Sequence, residues 1–76
     1  MNPEHPAFHV GDRVQVYLDS VFWDSEGWCE GTVVRIDPYS NHRSFHWVEL
    51  DLEVRHRQGG STRLVSVLNP RHIMRI

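Results

Sequence analysis

The predicted fold is organised around the stretch Trp28-Cys29-Glu30-Gly31-Thr32-Val33-Val34-Arg35-Ile36. It places an aromatic residue at the start of a strand, then a glycine, and then a β-branched run that is typical of a pleated, half-buried surface. A glycine inside a strand often marks a place where another backbone approaches closely. Short apolar stretches lie before and after it, so this stretch is predicted to be the second strand of a small antiparallel barrel.

Period-two alternation predicts the other strands. Val14, Val16 and Leu18 alternate with polar or aromatic neighbours, which indicates a first strand with one buried face. The third strand is expected to carry its apolar side chains on one face and Trp47 with three acids on the other. The apolar face is Val48, Leu50, Leu52 and Val54. The five predicted strands cover residues 13–18, 28–36, 45–54, 62–68 and 73–76.

Turn-forming residues separate these strands. Residues 19–27 break the alternation and end in glycine, and residues 37–42 are dense in turn formers. Residues 58–61 hold paired glycines, which supply the positive φ of a hairpin. Residues 69–72 are expected to form one 3₁₀ turn that starts at Pro70. Five short strands in so small a chain favour a closed or nearly closed barrel, because closure removes exposed strand edges.

Length and composition indicate one small domain. The 76 residues are close to the lower limit for a single unstapled core. We expect residues 1–8 to form a flexible N-terminal arm and residues 9–76 to form the domain. Cys29 is the only cysteine, so an intrachain disulfide and a zinc site made of several thiolates are excluded. Neither a signal peptide nor a membrane-spanning segment is indicated, so a cytoplasmic protein without membrane contact is expected.

The charges are unevenly distributed along the chain. All ten acids lie between Glu4 and Glu53, whereas the chain after Glu53 carries five arginines and no acid. Because a small barrel interleaves its strands, the two halves of the sequence need not become two halves of the surface. The alternative is a basic edge, built from the last two strands, that faces an acidic partner. The net charge of −2 disfavours general nucleic-acid binding, which normally needs a positive excess.

The order of these features resembles the Src-homology-3 (SH3) type of small barrel, and within it the Tudor/agenet group. The resemblance rests on four short pieces: residues 10–16, 28–34, 47–51 and 68–73. The last piece lies where these barrels place a 3₁₀ turn before the final strand. The resemblance implies an all-β, five-stranded antiparallel SH3-like barrel with a short 3₁₀ turn before the last strand.

The resemblance to Tudor domains also implies a cage for methylated lysine or arginine. Matched by position, Trp28 and either Phe45 or Trp47 would be walls of that cage. Tyr17 or Trp23 would be a third wall, and Glu49 or Asp51 would supply a carboxylate. A ring face attracts a cation, and a carboxylate adds charge complementarity. The long loop before Trp28 and the histidine at position 46 depart from the family pattern.

The residues themselves favour a different kind of binding site. Phe22 and Trp23 are adjacent in a loop, so both cannot face a core, and exposed aromatics often mark an interface. Trp28 has two interpretations, as a core residue or as a wall of a ligand site. Arg55, Arg57 and Arg63 lie around the predicted hairpin and could pair with acids of a partner, or with nucleic acid if stacked with aromatic platforms.

We therefore expect a non-catalytic protein-interaction module that uses the aromatics of the 19–28 loop and of the third strand. A Tudor-like reader of methylated lysine or arginine and a small nucleic-acid-binding barrel are the alternatives. The sequence contains no nucleophile triad, phosphate loop or paired carboxylates, so no enzymatic activity is expected. The chain has six histidines, but their spacing lacks helical geometry, so neither a metal site nor a cofactor is predicted.

Overall fold

The computed structural model describes residues 7–76, and over this range the protein is all-β with a single short helical turn. The strands are β1 (Arg13–Leu18), β2 (Gly27–Pro38), β3 (Ser44–Arg55), β4 (Ser61–Val67) and β5 (Ile73–Arg75), and a 3₁₀ turn at Pro70–His72 precedes β5. All five predicted strands and the 3₁₀ turn are confirmed. Residues 1–6 of the predicted arm lie outside the described residues. No helix in the described range is long and apolar enough to cross a membrane.

The strands form one antiparallel sheet in the order β4-β3-β2-β1-β5. The two edge strands, β4 and β5, do not pair with each other anywhere in residues 7–76, so the sheet is open. The closed or nearly closed SH3-like barrel expected from the sequence is therefore not confirmed. The closing strand β5 has only three residues, and all three pair with β1.

The core lies on one face of the sheet, and in the described part of the chain every buried side chain in it is apolar. Among residues 7–76, its nine buried members are Val14, Val16, Leu18, Val33, Val48, Leu50, Val65, Val67 and Ile73. The alternation predicted for β1 is confirmed, because its valines and its leucine are all buried. Phe8, at the end of the predicted arm, is half-buried and packs against this core.

The apolar face predicted for β3 is only half correct. Val48 and Leu50 are buried, but Leu52 is 78% exposed and Val54 is half-buried. The cause is an irregularity in the β3–β4 pairing, whose register jumps between Glu49 and Val54. Arg63 fills the gap in the ladder, because its Nε donates to the Leu50 carbonyl (3.3 Å) and its Nη2 donates to the Asp51 carbonyl (2.9 Å).

Gly31 confirms the close backbone approach that the sequence predicts. It is buried in the centre of the sheet, opposite Val14 of β1 and Leu50 of β3. A Cβ atom at this position would lie 2.5 Å from the Glu49 carbonyl oxygen and 2.8 Å from Val48 Cγ1. Only glycine fits this site without displacement of the backbone of β3.

The fold interleaves the acidic and the basic parts of the sequence. Arg75 Nη2 lies 3.3 Å from the carboxylate of Asp12, and Arg55 Nε lies 3.7 Å from that of Asp24. A backbone N–H from His9, together with Arg75, lowers the pKa of Asp12. Arginines from the acid-free end of the chain thus neutralise acids from its first half, as the interleaving interpretation predicts.

Candidate binding surface

Two segments that the sequence singles out separately are joined in the structure. These are the aromatic loop (residues 19–26) and the arginine hairpin (residues 55–63). The Asp24 N–H donates to the Arg55 carbonyl at 3.0 Å, and the Arg57 N–H donates to the Phe22 carbonyl at 2.9 Å. Backbone hydrogen bonds therefore fix the loop on the hairpin, although about thirty residues separate the two segments in sequence.

Trp23 anchors the aromatic loop. Its ring stacks on that of His56, with centroids 4.2 Å apart and an interplanar angle of 27°, and the two residues form an isolated β-bridge. Trp23 is half-buried and packs against the core. Of the two adjacent aromatics, Trp23 thus has a structural role, and Phe22 is left at the surface.

The start of the loop is a tight turn around Asp19. The Asp19 carbonyl accepts hydrogen bonds from the N–H groups of Phe22 and Trp23 at 3.1 Å, and its carboxylate accepts one from the Val21 N–H at 2.9 Å. Arg57 adds a further link, because its Nε donates to the Ser20 carbonyl at 2.5 Å. Backbone and side-chain hydrogen bonds together attach the tip of the loop to its own turn and to the arginine hairpin.

The tip of this ordered loop is apolar and exposed. Val21 and Phe22 are 67% and 65% exposed. Phe22 stands between two clefts and lines both of them. One cleft, of about 190 Å³, lies towards Tyr17 and His72. The other, of about 400 Å³, lies towards Arg57 and Gly59. An exposed aromatic side chain between two clefts can insert into a pocket of a partner protein, and side chains of the partner can occupy the two clefts.

Tyr17 and Trp28 form a second aromatic cluster, on β1 and β2. They are register partners, and their rings meet edge to face at 5.5 Å. His72 lies at the same distance from Tyr17. The Tyr17 hydroxyl donates to Glu26 Oε2 at 2.6 Å, and this hydrogen bond raises the pKa of Tyr17. Trp28 is 43% exposed, so its interpretation as a core residue is wrong.

The third-strand aromatics lie away from Trp28. Phe45 pairs with Asp37 and Trp47 pairs with Arg35, so their partners are nine and seven residues along β2 from Trp28. Phe45 packs edge to face on Tyr39 at 5.4 Å. The Trp47 Nε1 donates to Asp37 Oδ2 at 3.2 Å. Within residues 7–76 no ring contact joins Trp28 to either aromatic. The walls implied by the Tudor resemblance do not converge.

The two predicted cage carboxylates differ in their surroundings. Asp51 forms a bidentate pair with Arg13, with N–O distances of 2.8 and 2.7 Å. This pair lowers the pKa of Asp51 and raises that of Arg13, which also lies 3.6 Å from Glu30. Glu49 is exposed, opposite Thr32. The Asp51 carboxylate therefore has a partner on the outer face of the sheet.

The three predicted binding arginines hold the structure together. Arg55 lies near Asp24, Arg57 bonds to the aromatic loop, and Arg63 fills the gap between β3 and β4. The sequence pattern predicts neither the exposure of Val21 nor the stacking of His56 on Trp23. No local pattern predicts a contact between residues so far apart in sequence.

Cys29 is half-buried on β2, and burial raises the pKa of its thiol. Such a thiol is a weak nucleophile at neutral pH. In the described part of the chain, no three His, Cys, Asp or Glu side chains are grouped so that they could hold a metal ion.

Comparison with known proteins adds no relative to this description. No protein-family model, curated protein or solved structure matches the chain. The geometry of the chain itself is therefore the basis for a functional conclusion.

Proposed function

We propose that this protein is a non-catalytic module that binds another protein through the tip of the aromatic loop. The observation that supports the proposal is the exposure of Val21 and Phe22 on a loop that the arginine hairpin holds in place. Ordering a loop costs conformational entropy. When the loop is already ordered in the free protein, that cost does not weaken binding.

Burial of the loop tip supplies the hydrophobic part of the binding energy. Complete burial of one side chain such as phenylalanine is worth about 1.5–3 kcal/mol. Interface energy is usually concentrated in a few such anchors near the centre of the contact. Phe22, placed between two clefts, has the position expected of an anchor.

Arg57 lies beside Phe22 and supplies the polar part of the binding energy. Its Nε is bonded to the Ser20 carbonyl, which fixes the guanidinium plane. Within residues 7–76 its two Nη groups make no hydrogen bond, so they can donate to an acid of the partner. A partner that presents an apolar pocket with an adjacent carboxylate fits this arrangement.

The experiment that tests the proposal is affinity capture with the wild type and two variants. Phe22→Ala removes the exposed ring, and Leu52→Ala removes a still more exposed apolar side chain from β3. A true partner is captured by the wild type and by Leu52→Ala, and is lost with Phe22→Ala. If every captured protein survives Phe22→Ala, the aromatic loop is not the binding surface. Trp23 is unsuitable as a probe, because its loss would also release the loop.

We further propose that the open sheet is the framework of an SH3-like barrel. The support is the sheet order β4-β3-β2-β1-β5 and the 3₁₀ turn placed directly before β5. An experimental structure would test closure through the distance between the edges of β4 and β5.

A Tudor-like reader of methylated lysine or arginine is the second candidate function. It is favoured by one observation, the contact of Tyr17 with Trp28 beside the Glu26 carboxylate. Chemical-shift changes at Trp28 on addition of methyl-lysine or methyl-arginine would support it. Their absence at millimolar ligand would exclude it.

Further proposals concern localisation, enzymatic activity and nucleic-acid binding. We propose a cytoplasmic protein, because a single cysteine without a disulfide is typical of a reducing compartment. We also propose that it has no enzymatic activity, because burial raises the pKa of its one thiol and makes that thiol a weak nucleophile. Nucleic-acid binding is the least favoured function, because the net charge is −2 and the guanidinium of Arg63 is engaged by backbone carbonyls. Binding to DNA or RNA that weakens steeply with added salt would favour it.

A further inference from the structure

A separate cleft lies between the β2–β3 turn and the 3₁₀ turn, away from the residues of the aromatic loop. Its volume is about 470 Å³. Its lining includes the apolar residues Phe8, Leu68 and Ile73 and polar residues from the segment 42–46. A volume of this size falls within the range of small-molecule sites, about 300–1,000 Å³.

The apolar wall of this cleft is built around Phe8. The Phe8 ring meets the His46 ring edge to face at 5.3 Å, and the Arg75 guanidinium lies 5.0 Å from its centroid. Arg75 also donates hydrogen bonds to the Ala7 carbonyl and to the Asp12 carboxylate. These contacts attach the end of the arm to the sheet and give the cleft a fixed apolar side.

The polar wall is the turn that carries Arg43. The Arg43 carbonyl accepts hydrogen bonds from the N–H groups of Tyr39 and Ser40, both at 3.0 Å. Ser40 in turn accepts a hydrogen bond from the His42 N–H at 3.3 Å. These hydrogen bonds hold the backbone of the turn, and the Arg43 side chain extends from this held backbone.

The charges of the residues that line the cleft favour an anionic ligand. Among residues 7–76, the polar side chains that line the cleft are His42, Arg43, Ser44 and His46, and no carboxylate of these residues lines it. The cleft beside Trp28 differs, because Glu30 and Asp51 line it. Within residues 7–76 the Arg43 side chain makes neither an ion pair nor a hydrogen bond. An arginine whose guanidinium makes no such contact can donate hydrogen bonds to an anionic oxygen of a ligand.

We infer that this cleft binds a small molecule that carries one anionic group, a carboxylate or a phosphate, on an apolar body. Arg43 contacts the anionic group, and His42 and Ser44 lie beside it as further donors. The apolar body rests against Phe8 and the other apolar residues of the lining. This inference does not depend on the aromatic loop, which lines none of the cleft.

Titration of the full chain followed by ¹H–¹⁵N NMR tests the inference, with phenyl phosphate and benzoate as probes. We expect saturable shifts at residues 42–46 and at Phe8, with either probe. Arg43→Gln should weaken binding by about tenfold, because a hydrogen bond to a charged group is lost. Arg55→Gln, which makes the same change of charge on the arginine hairpin, should leave the affinity unchanged. The probe that binds more tightly identifies the anionic group.

Three results would overturn the inference. Benzyl alcohol that binds as tightly as the anions would show that the charge is not recognised. An Arg43→Gln variant with wild-type affinity would show the same for this side chain. Shifts scattered over the surface, without saturation, would show that there is no site. Arg43 is exposed, so the variant should keep the dispersed spectrum of the folded protein.

Discussion

Replacement of Gly31 by alanine tests the packing of the sheet at its centre. The added Cβ would lie 2.5 Å from the Glu49 carbonyl oxygen and 2.8 Å from Val48 Cγ1. Neither atom can move away easily, because the first is backbone and the second belongs to a fully buried side chain. The substitution therefore forces β2 and β3 apart where Gly31 pairs with Leu50.

The expected cost follows from two opposing effects. Insertion of an extra carbon into a well-packed core costs about 1–3 kcal/mol. Alanine also restricts the unfolded chain, which favours the folded state by about 0.4–1 kcal/mol. Because neither contact atom can move away easily, the upper half of the first range applies, and about 2–3 kcal/mol less about 1 kcal/mol leaves a net loss in the free energy of unfolding of about 1–2 kcal/mol. For a chain of 76 residues the whole free energy of unfolding is about 4–11 kcal/mol, so the loss is a measurable fraction of the stability.

Urea unfolding followed by tryptophan fluorescence measures this loss. With a slope of about 1 kcal/mol per molar urea, the midpoint should fall by about 1–2 M while the slope stays constant. Ser66→Ala, at an exposed position of β4, is the control and should change stability by less than about 0.5 kcal/mol. A Gly31→Ala midpoint equal to or above that of the wild type would refute the close approach of the strands.

Three further predictions concern single side chains. In a Tyr39→Phe background, absorbance at 295 nm should show that Tyr17 ionises with a pKa above 10, and Glu26→Gln should lower the pKa of Tyr17. A pKa that is unchanged by Glu26→Gln would contradict the hydrogen bond. Because the pKa of Asp51 is lowered in the folded state, its stabilising effect is present above about pH 4 and is lost as the pH falls. In urea titrations, Asp51→Asn should therefore be less stable than the wild type at pH 7 and nearly equal to it at pH 2; a constant difference would argue against the ion pair. Cys29 should react with iodoacetamide more slowly in the folded protein than in urea, and equal rates would contradict its burial.

Local patterns predict most of this fold. Each strand of the structure overlaps a predicted one, because alternation with period two is a property of the strand itself. Proline at position 70 predicts the 3₁₀ turn in the same local way. The role of Gly31 is predictable because glycine weakens the interior of a strand, so a glycine among β-branched residues indicates a close backbone approach.

Features that depend on pairing between strands are not predictable in this way. Leu52 has the correct period for the core but is exposed, because the β3–β4 register is interrupted beside it. The sequence leaves Trp28 as either a core or a cage residue, and the register places it on the outer face opposite Tyr17. The contact of Trp23 with His56 joins residues more than thirty positions apart, and no local pattern predicts it. The candidate site depends on that contact, so the sequence identifies its parts but not their assembly.

Site-specific photo-cross-linking tests the proposed binding function most directly. A benzoylphenylalanine at position 22 lies at the exposed tip of the aromatic loop, and the same group at position 52 lies on the exposed part of β3. In lysate from the source cells, we expect a specific cross-link to another protein from position 22 and none from position 52. Equal yields from both positions, or no cross-link from position 22, would contradict the aromatic loop as the binding surface.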